Sequence, residues 1–334
     1  MFASIPKTNP FIFARYWRLI LVFSLSTALL GVPTVKVNAA TASFEASADT
    51  YMNSSSGKGN LNYGGSTTIQ ANPYNPTGGG KQYKGILMRW DLSSLPSGTV
   101  ITSASITFHV TDASVYAYNL YAMRRSWVEG TNDGAPGTGA SWNYYGAGTG
   151  SWAIEGVQDT NYDRYNINLW DVAVDDFSAT GDVTIPLNTA GLAVVQGWID
   201  GSVTNYGMTM QNYSEGRGNV WIAASSENTS YAGPTLNLTY VDPPVITTTG
   251  TLTVFSTKPG ISSAAQTYMV KGSFLKDSIT ISAPAGFELS TDGITYSPSL
   301  TLPQSGGSVP DTTIYVRLFN ALEGTFGGNI THTS

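Results

Sequence analysis

The sequence predicts an all-β protein with two β-sandwich modules and one short helix. Two observations lead to this fold class: short segments in which apolar and polar residues alternate, and the many glycines and prolines between them. The chain has 334 residues, with 36 glycines, 16 prolines and no cysteine. Such a composition is typical of short strands joined by tight turns. Because cysteine is absent, the chain has neither a disulfide scaffold nor a thiolate metal site.

The first forty residues have the three parts of a secretory signal peptide. Arg15 and Arg18 form a positive region, the run from Leu19 to Val32 is apolar, and Ala39 and Ala40 fit a cleavage site. The apolar run is shorter than the ~20 residues of a spanning helix, which argues against a membrane anchor. We therefore predict a secreted protein, extracellular or at the cell surface, with no membrane insertion after cleavage.

The mature chain is acidic. Residues 1–40 hold four of the 16 basic residues and none of the 22 acids, which leaves 12 bases against 22 acids and a net charge of about −10. Nucleic-acid binding needs a basic surface. The charge therefore argues against nucleic acid as a partner.

The first module is predicted over residues 41–241. In the segment from Ile101 to Val110, apolar and polar residues alternate with the period of a half-buried strand. The segment from Thr189 to Gly201 instead has apolar residues at helical spacing, with Asn188 or Thr189 as its N-cap. The other strand candidates are residues 86–91, 117–122, 183–187, 207–211, 220–224 and 235–241.

A boundary is predicted near residue 242. Seven of the eight tryptophans lie in residues 41–240 and none follows, while Pro243 and Pro244 stop a strand. Residues 242–246 are thus a predicted linker. Because the chain ends within a strand-like segment at Ser334, we expect the second module, residues 247–334, to be incomplete and further domains to follow. Its strand candidates recur about every ten residues, as in an immunoglobulin-like sandwich: 252–255, 267–271, 279–282, 287–290, 299–302 and 312–318.

Both modules resemble known families. The marks in the first are Ala48–Tyr51, Asn62–Gly65, Met88–Pro96, Trp127–Thr131, Ser141–Asn143, Asn205–Gly207, Ser225–Glu227 and Pro234–Leu236. In this order they resemble the DNRLRE domain, also classed as carbohydrate-binding module family 96, although Trp90 stands where that family usually has phenylalanine. The resemblance implies a jelly-roll-like sandwich attached to secreted polysaccharide-degrading enzymes or surface proteins, with alginate, an acidic polysaccharide, as the associated ligand.

The second module carries the marks Ala283–Ser290, Ile314–Arg317 and Gly328–Thr331. They resemble a small immunoglobulin-like repeat of secreted and surface proteins of Bacteroidota. That resemblance implies a spacer beside catalytic or adhesive domains.

Catalytic chemistry has little support in the sequence. The two histidines, His109 and His332, lie on separate modules, and neither a nucleophile elbow nor an HExxH motif is present. Glycoside hydrolysis needs only two carboxylates, so the acids alone leave that reaction open. We predict that this chain is not an enzyme, with a catalytic domain beyond Ser334 as the alternative.

Basic residues near one loop are candidates for ligand binding. The segment from Gly78 to Lys84 is a predicted loop in which Lys81 and Lys84 face an acidic glycan and Tyr83 stacks on a sugar ring. The alternative is a solvated loop. Arg89 lies in a predicted strand, where it either binds a ligand carboxylate or holds a neighbouring acid inside the sandwich.

A glycine-rich segment carries the second set of candidates. Tyr144 and Tyr145 are predicted to be exposed there and to bind sugars, whereas Trp127 and Trp142 are predicted to pin the segment to the sandwich.

An acidic stretch gives weak candidates for a metal site. From Glu129 to Asp182 there are nine acids and one base. Asp171, Asp175 and Asp176 offer oxygens for a structural Ca²⁺, with a solvated acidic face as the favoured alternative. No other cofactor is predicted.

Together these observations predict a secreted, non-catalytic carbohydrate-binding module that directs a larger extracellular protein to a polysaccharide. One alternative is a structural or adhesive cell-surface module. Another is a piece of a polysaccharide lyase or hydrolase whose catalytic domain lies elsewhere.

Overall fold

The computed structural model of the chain describes residues 39–74, 80–146, 148–214, 219–320 and 322–334. All but the last two residues of the predicted signal peptide lie outside this part, as do Gly78 and Gly79 of the predicted basic loop. The described residues form antiparallel sheets with a single α-helix, which confirms the all-β sandwich class. No helix in these ranges is both long enough and apolar enough to cross a bilayer.

The strands of the first module are short and are separated by turns and loops. They are β1 (Ala40–Glu45), β2 (Ala48–Asn53), β3 (Leu61–Asn62), β4 (Thr68–Ala71), β5 (Lys84–Arg89), β6 (Val100–Asp112), β7 (Asn119–Ala122), β8 (Ala135–Pro136), β9 (Tyr144–Gly146), β10 (Gly150–Ser151), β11 (Gly181–Pro186), β12 (Met208–Gln211), β13 (Trp221–Ala224) and β14 (Thr235–Val241).

Two sheets form the first sandwich. The larger has the order β1-β14-β6-β13-β4, with β11 paired to β6, and the smaller has the order β2-β5-β12-β7. The main core lies between them and takes alternate residues of each strand, such as Ile106 and Phe108 from β6 and Ile86 and Met88 from β5. The short ribbons β3-β8 and β9-β10 lie outside these two sheets.

The predicted helix is confirmed. Helix α1 spans Thr189–Asp200, and the side chain of Asn188 caps it by accepting hydrogen bonds from the N–H groups of residues 190 and 191. Gly201 ends the helix with φ of 76°, a left-handed conformation that glycine adopts without strain. A 3₁₀ turn, Val174–Phe177, precedes β11.

A second apolar cluster covers the outer face of the smaller sheet. Leu87 alternates with the core residues of β5 and packs here with three tryptophans, Trp127, Trp142 and Trp152, which are 3%, 5% and 4% exposed. These rings come from the segment 123–157, which we call the covering segment. The prediction that Trp127 and Trp142 pin this segment to the sandwich is confirmed.

The second module is also a sandwich. Its strands are β15 (Val245–Thr249), β16 (Gln266–Ser273), β17 (Ile279–Ser282), β18 (Phe287–Ser290), β19 (Ser299–Leu302), β20 (Val309–Leu318) and β21 (Thr331–Thr333). One sheet has the order β15-β16-β20-β18 and the other β19-β17-β21, around a core that includes Val270, Ile281 and Ile314.

Two details of the second module differ from the sequence prediction. Strand β15 begins at Val245, inside the predicted linker. Residues 252–255 are not a strand, because the N–H of Thr253 donates to the side chain of Gln266 and Val254 is 92% exposed. Leu252 and Phe255 still pack on the core, so apolar alternation arises here without strand pairing.

Candidate functional site

The predicted sugar-stacking residue Tyr83 is buried. Only 5% of it is exposed, and its ring lies 4.9 Å from the ring of Tyr213 and 6.1 Å from that of Trp142, between centroids. Tyr83 shares the outer face of the smaller sheet with Leu87, and the covering segment shields that face. The ring is therefore not free to stack on a ligand. Lys81 stays exposed, with its Nζ 5.9 Å from the centroid of the Tyr83 ring.

Lys84 lies beside the main core of the first module. It is half-buried, its ammonium contacts Oε1 of Gln70, and its Nζ lies 5.7 Å from the ring centroid of Tyr51, a main-core residue. Burial lowers the pKa of the Lys84 ammonium, and the nearby charge of Lys58 lowers it further. The structure thus places Lys81 and Lys84 against different clusters.

Arg89 is half-buried beside the covering segment. Its guanidinium carbon lies 5.3 Å from the ring centroid of Trp127, and its charge acts to lower the pKa of Glu129. Among the described residues it forms no ion pair within 4.0 Å. The charge of Arg89 thus acts on an acid of the protein itself, Glu129.

The two predicted platform tyrosines are half-buried. The hydroxyl of Tyr145 donates to the carbonyl of Thr149 at 3.0 Å, and its ring meets Trp152 edge to face at 5.7 Å between centroids. The guanidinium of Arg125 lies 4.8 Å from the same ring. Tyr145 is therefore held within the covering segment, and Tyr144 precedes it in β9.

A groove of about 470 Å³ lies on the outer face of the larger sheet. Strands β6, β11 and β14 form its floor through their outward side chains, and residues 230–233, which lead into β14, form its wall. Successive side chains of a strand point to opposite faces of the sheet. The sheet therefore fixes the spacing of the side chains that face the groove. The lining residues are Thr107, His109, Asp182, Ser230, Tyr231, Ala232, Gly233, Thr235 and Asn237.

Three side chains dominate the groove. Nδ1 of His109 and Oδ1 of Asp182 are 2.7 Å apart, across paired positions of β6 and β11. The ring of Tyr231 lies parallel to the imidazole, with 3.7 Å between centroids and 8° between planes. Tyr231 is still 49% exposed, and the side chain of Asp182 is 76% exposed. The groove therefore offers an aromatic surface beside a hydrogen-bond acceptor.

The rest of the groove is a network of hydroxyl and amide groups. Thr107 Oγ1 lies 2.7 Å from Thr184 Oγ1 and accepts a hydrogen bond from Nδ2 of Asn237 at 2.9 Å. The wall is held by Asn228, whose Oδ1 accepts the N–H groups of Ser230 and Tyr231 at 2.9 and 3.0 Å. These bonds fix the polar groups before any ligand arrives.

The sequence prediction did not include this groove. In the sequence, His109 is a polar position of an alternating strand, and Tyr231 stands in a segment without a recognisable pattern. The sequence feature that could have indicated the groove is the outward face of β6. Thr107 and His109 on that face are polar, and such groups can bind a ligand as well as face solvent. Only pairing with β11 and β14 brings Asp182 and Tyr231 to that face.

A second cluster consists of the carboxylates of Asp49, Glu129 and Glu227. One ligand oxygen from each lies within 4.8 Å of the others. Asp49 lies in β2, opposite Met88 of β5, whereas Glu129 lies in the covering segment and Glu227 follows β13. Three distant segments of the chain therefore meet here.

Hydrogen bonds orient two of these carboxylates. The N–H of Asp49 donates to Oε1 of Glu129 at 2.5 Å, and the N–H of Ser226 donates to Oδ2 of Asp49 at 2.8 Å. Burial raises the pKa of Asp49 to about 7, and burial likewise raises that of Glu129 to about 7, with the charge of Glu227 adding to both.

The predicted metal candidates do not form such a cluster. Asp171 and Asp175 are exposed; Oδ1 of Asp171 accepts from Asn188, and Oδ2 of Asp176 accepts from the N–H of Ala173. In the part of the chain that the structure describes, Asp49, Glu129 and Glu227 are the one group of three or more acids and histidines with converging ligand atoms. Convergence of three carboxylates requires contacts between distant segments, which spacing along the sequence does not record.

The second module has a larger groove of about 610 Å³. Its lining is mostly apolar and includes Leu252, Phe255, Phe287 and Phe326. None of the ligand contacts predicted from the sequence lines it. Comparison with known proteins adds no family to this picture: no family model and no curated protein matches the chain.

Proposed function

We propose that the first module, residues 41–241, is a non-catalytic polysaccharide-binding module of an exported protein. The observation that carries this proposal is the groove with Tyr231, His109 and Asp182 on the outer face of the larger sheet. Export rests on the signal-peptide pattern of residues 1–40. The resemblance of residues 42–241 to a carbohydrate-binding family supports the same function.

Saccharides present both apolar C–H faces and hydroxyl groups. A half-exposed tyrosine ring buries the C–H face, and nearby acceptors bind the hydroxyl groups. In this groove Tyr231 supplies the ring and Asp182 supplies a charged acceptor. His109 supports the ring from below, so Tyr231 loses little side-chain freedom when a ligand binds.

The groove favours a neutral saccharide. Its described lining contains the carboxylate of Asp182 but neither lysine nor arginine. A polyanion would bring its own carboxylates close to Asp182, and like charges repel. An acidic glycan such as alginate, which the family resemblance implies, would instead contact the exposed Lys81.

Affinity electrophoresis of the full chain tests the proposal. Gels cast with xylan, chitin-derived polymers, pectin or alginate should slow the protein in at least one case. We expect Tyr231→Ala to abolish that retardation and Asp182→Asn to weaken it. Tyr162→Ala is the matched control, since Tyr162 is 64% exposed but lies away from the groove lining.

The outcome separates the two ligand classes. Retardation by a neutral glycan that depends on Tyr231 and persists at high salt supports the groove. Retardation by alginate or pectin that salt removes, and that depends on Lys81, would instead support binding of an acidic glycan at Lys81. If no gel slows the chain, saccharide binding is wrong, and a structural or adhesive role of the module takes its place.

A further inference from the structure

We infer that Asp49, Glu129 and Glu227 bind one Ca²⁺ ion that ties three segments of the first module together. The site is spatially distinct from the saccharide groove, since none of the three residues lines it. It is also separate from Asp171, Asp175 and Asp176, which the sequence offers as candidates.

The spacing of the oxygens fits this ion. Ca²⁺ binds oxygen ligands at about 2.3–2.6 Å. Two ligands of the same ion are therefore at most about 5 Å apart. The three carboxylates meet this condition, with ligand oxygens within 4.8 Å of one another. Mg²⁺ demands a near-ideal octahedron at about 2.0–2.1 Å and usually keeps several waters, so a group of protein carboxylates from three segments suits Ca²⁺ better.

Unpartnered buried oxygens give a second reason. Asp49 is 1% exposed, and its Oδ1 accepts no hydrogen bond from the described residues. Oε2 of Glu227 is likewise buried and has no partner in those ranges. A buried carboxylate oxygen without a donor is unfavourable, because it loses its hydration and gains nothing in return. A cation at this point would satisfy both oxygens.

Among the residues that the structure describes, no basic side chain fills that role. The described ion pairs join His109 to Asp182, Arg125 to Asp163 and Arg317 to Glu288. None of them involves the cluster. Arg89 acts on Glu129 only at longer range. Two like charges at this separation repel strongly in a buried site, and a divalent cation removes that repulsion.

A catalytic role for the acids fits the structure less well. Carboxyl groups with raised pKa values are typical of acid catalysts. A catalytic acid must, however, touch the substrate, and Asp49 is 1% exposed. Asp49 thus lies inside the module with the half-buried Glu129 and Glu227 beside it, where an ion holds β2, the covering segment and the residues after β13 together.

Calorimetry and thermal unfolding of the full chain test the site. After dialysis against EDTA, Ca²⁺ should bind to one site, with an affinity in the range of other extracellular Ca²⁺ modules, and should raise the unfolding temperature of the first module. We expect Asp49→Asn and Glu227→Gln each to weaken binding by about tenfold or more. Asp175→Asn, an exposed acid, is the control and should bind Ca²⁺ like the wild type.

The ion-free state provides a readout that a misfolded variant would not imitate. Asp49→Asn keeps an oxygen for the Ser226 N–H but removes a buried negative charge. In EDTA it should therefore unfold at the same temperature as the wild type or higher, although it no longer responds to Ca²⁺. The inference is overturned if Ca²⁺ neither releases heat nor shifts unfolding. It is equally overturned if Asp49→Asn and Glu227→Gln bind Ca²⁺ as the wild type does.

Discussion

The buried carboxylate of Asp163 gives a quantitative prediction for the covering segment. Asp163 is fully buried, and its two oxygens accept the N–H groups of Ala153 and Ile154, each at 3.1 Å. Oδ1 also lies 3.2 Å from Nε of Arg125. Truncation to alanine leaves two backbone donors without their acceptor and Arg125 without its carboxylate, although the guanidinium still donates to the carbonyls of Tyr162 and Ser151. Breaking a buried pair of this kind costs about 3–5 kcal/mol.

Tryptophan fluorescence is a suitable assay because all seven tryptophans beyond residue 40 lie in the first module. For a module of this size, Asp163→Ala should lower the unfolding temperature by about 6–20 °C. Asp163→Asn keeps one acceptor but turns an N–H₂ group toward a donor. Its cost should be intermediate, about 1.5–3 kcal/mol.

Asp159 is the matched control for this prediction. Its Oδ1 also accepts two backbone N–H groups, those of Asn161 and Tyr162, at 2.8 and 2.7 Å, but in an exposed turn. Water replaces the carboxylate there, so Asp159→Ala should cost about 1 kcal/mol or less. Equal losses for Asp159→Ala and Asp163→Ala would refute the reasoning, because burial would then not set the cost.

Three further predictions concern single positions. Gly207→Ala should destabilise the first module by about 2 kcal/mol or more, measured by fluorescence melting, because Gly207 has φ of 82° and its Cβ would collide with the carbonyl of Met88. Trp90→Phe should cost about 2 kcal/mol through a lost indole N–H bond and lost volume. Burial lowers the pKa of His332, which bonds to Tyr268, so calorimetry should show the second module losing stability as the pH falls below about 6.5, and His332→Gln should remove this dependence.

Strand positions were predictable wherever one face of a strand is buried. The segments 279–282 and 287–290 match β17 and β18 in both bounds, because alternation records which side chains enter the core. Tyr83 shows the limit of this signal. Alternation places it on one face of the sheet, but nothing local reveals that the covering segment shields that face.

The two candidate sites were not predictable for a related reason. Asp49 and Glu129 are 80 residues apart, yet a hydrogen bond joins them. His109 and Tyr231 lie on different strands and turns, yet their rings stack. Three segments quoted for the family resemblance, Ala48–Tyr51, Trp127–Thr131 and Ser225–Glu227, each supply one acid of the cluster. Their common role appears only when the chain is folded.

The chain also connects the Ca²⁺ site to the saccharide groove. The N–H of Asn228, the residue after Glu227, donates to the carbonyl of Ser225 at 3.1 Å, and its side chain accepts the N–H of Tyr231. An ion on Glu227 would therefore restrain the turn that carries Tyr231 and reduce the ordering cost of ligand binding. We expect EDTA to weaken the retardation of the wild type in a neutral-glycan gel and added Ca²⁺ to restore it.

The coupling has its own control. Asp49→Asn should show the weak retardation of the EDTA-treated wild type whether or not Ca²⁺ is present, because it lacks the ion but keeps the groove. Linkage also requires the reverse effect, so a soluble oligosaccharide that fills the groove should tighten Ca²⁺ binding by the same factor. If the ion binds but the retardation is identical with and without it, the turn is already rigid and the two sites act independently.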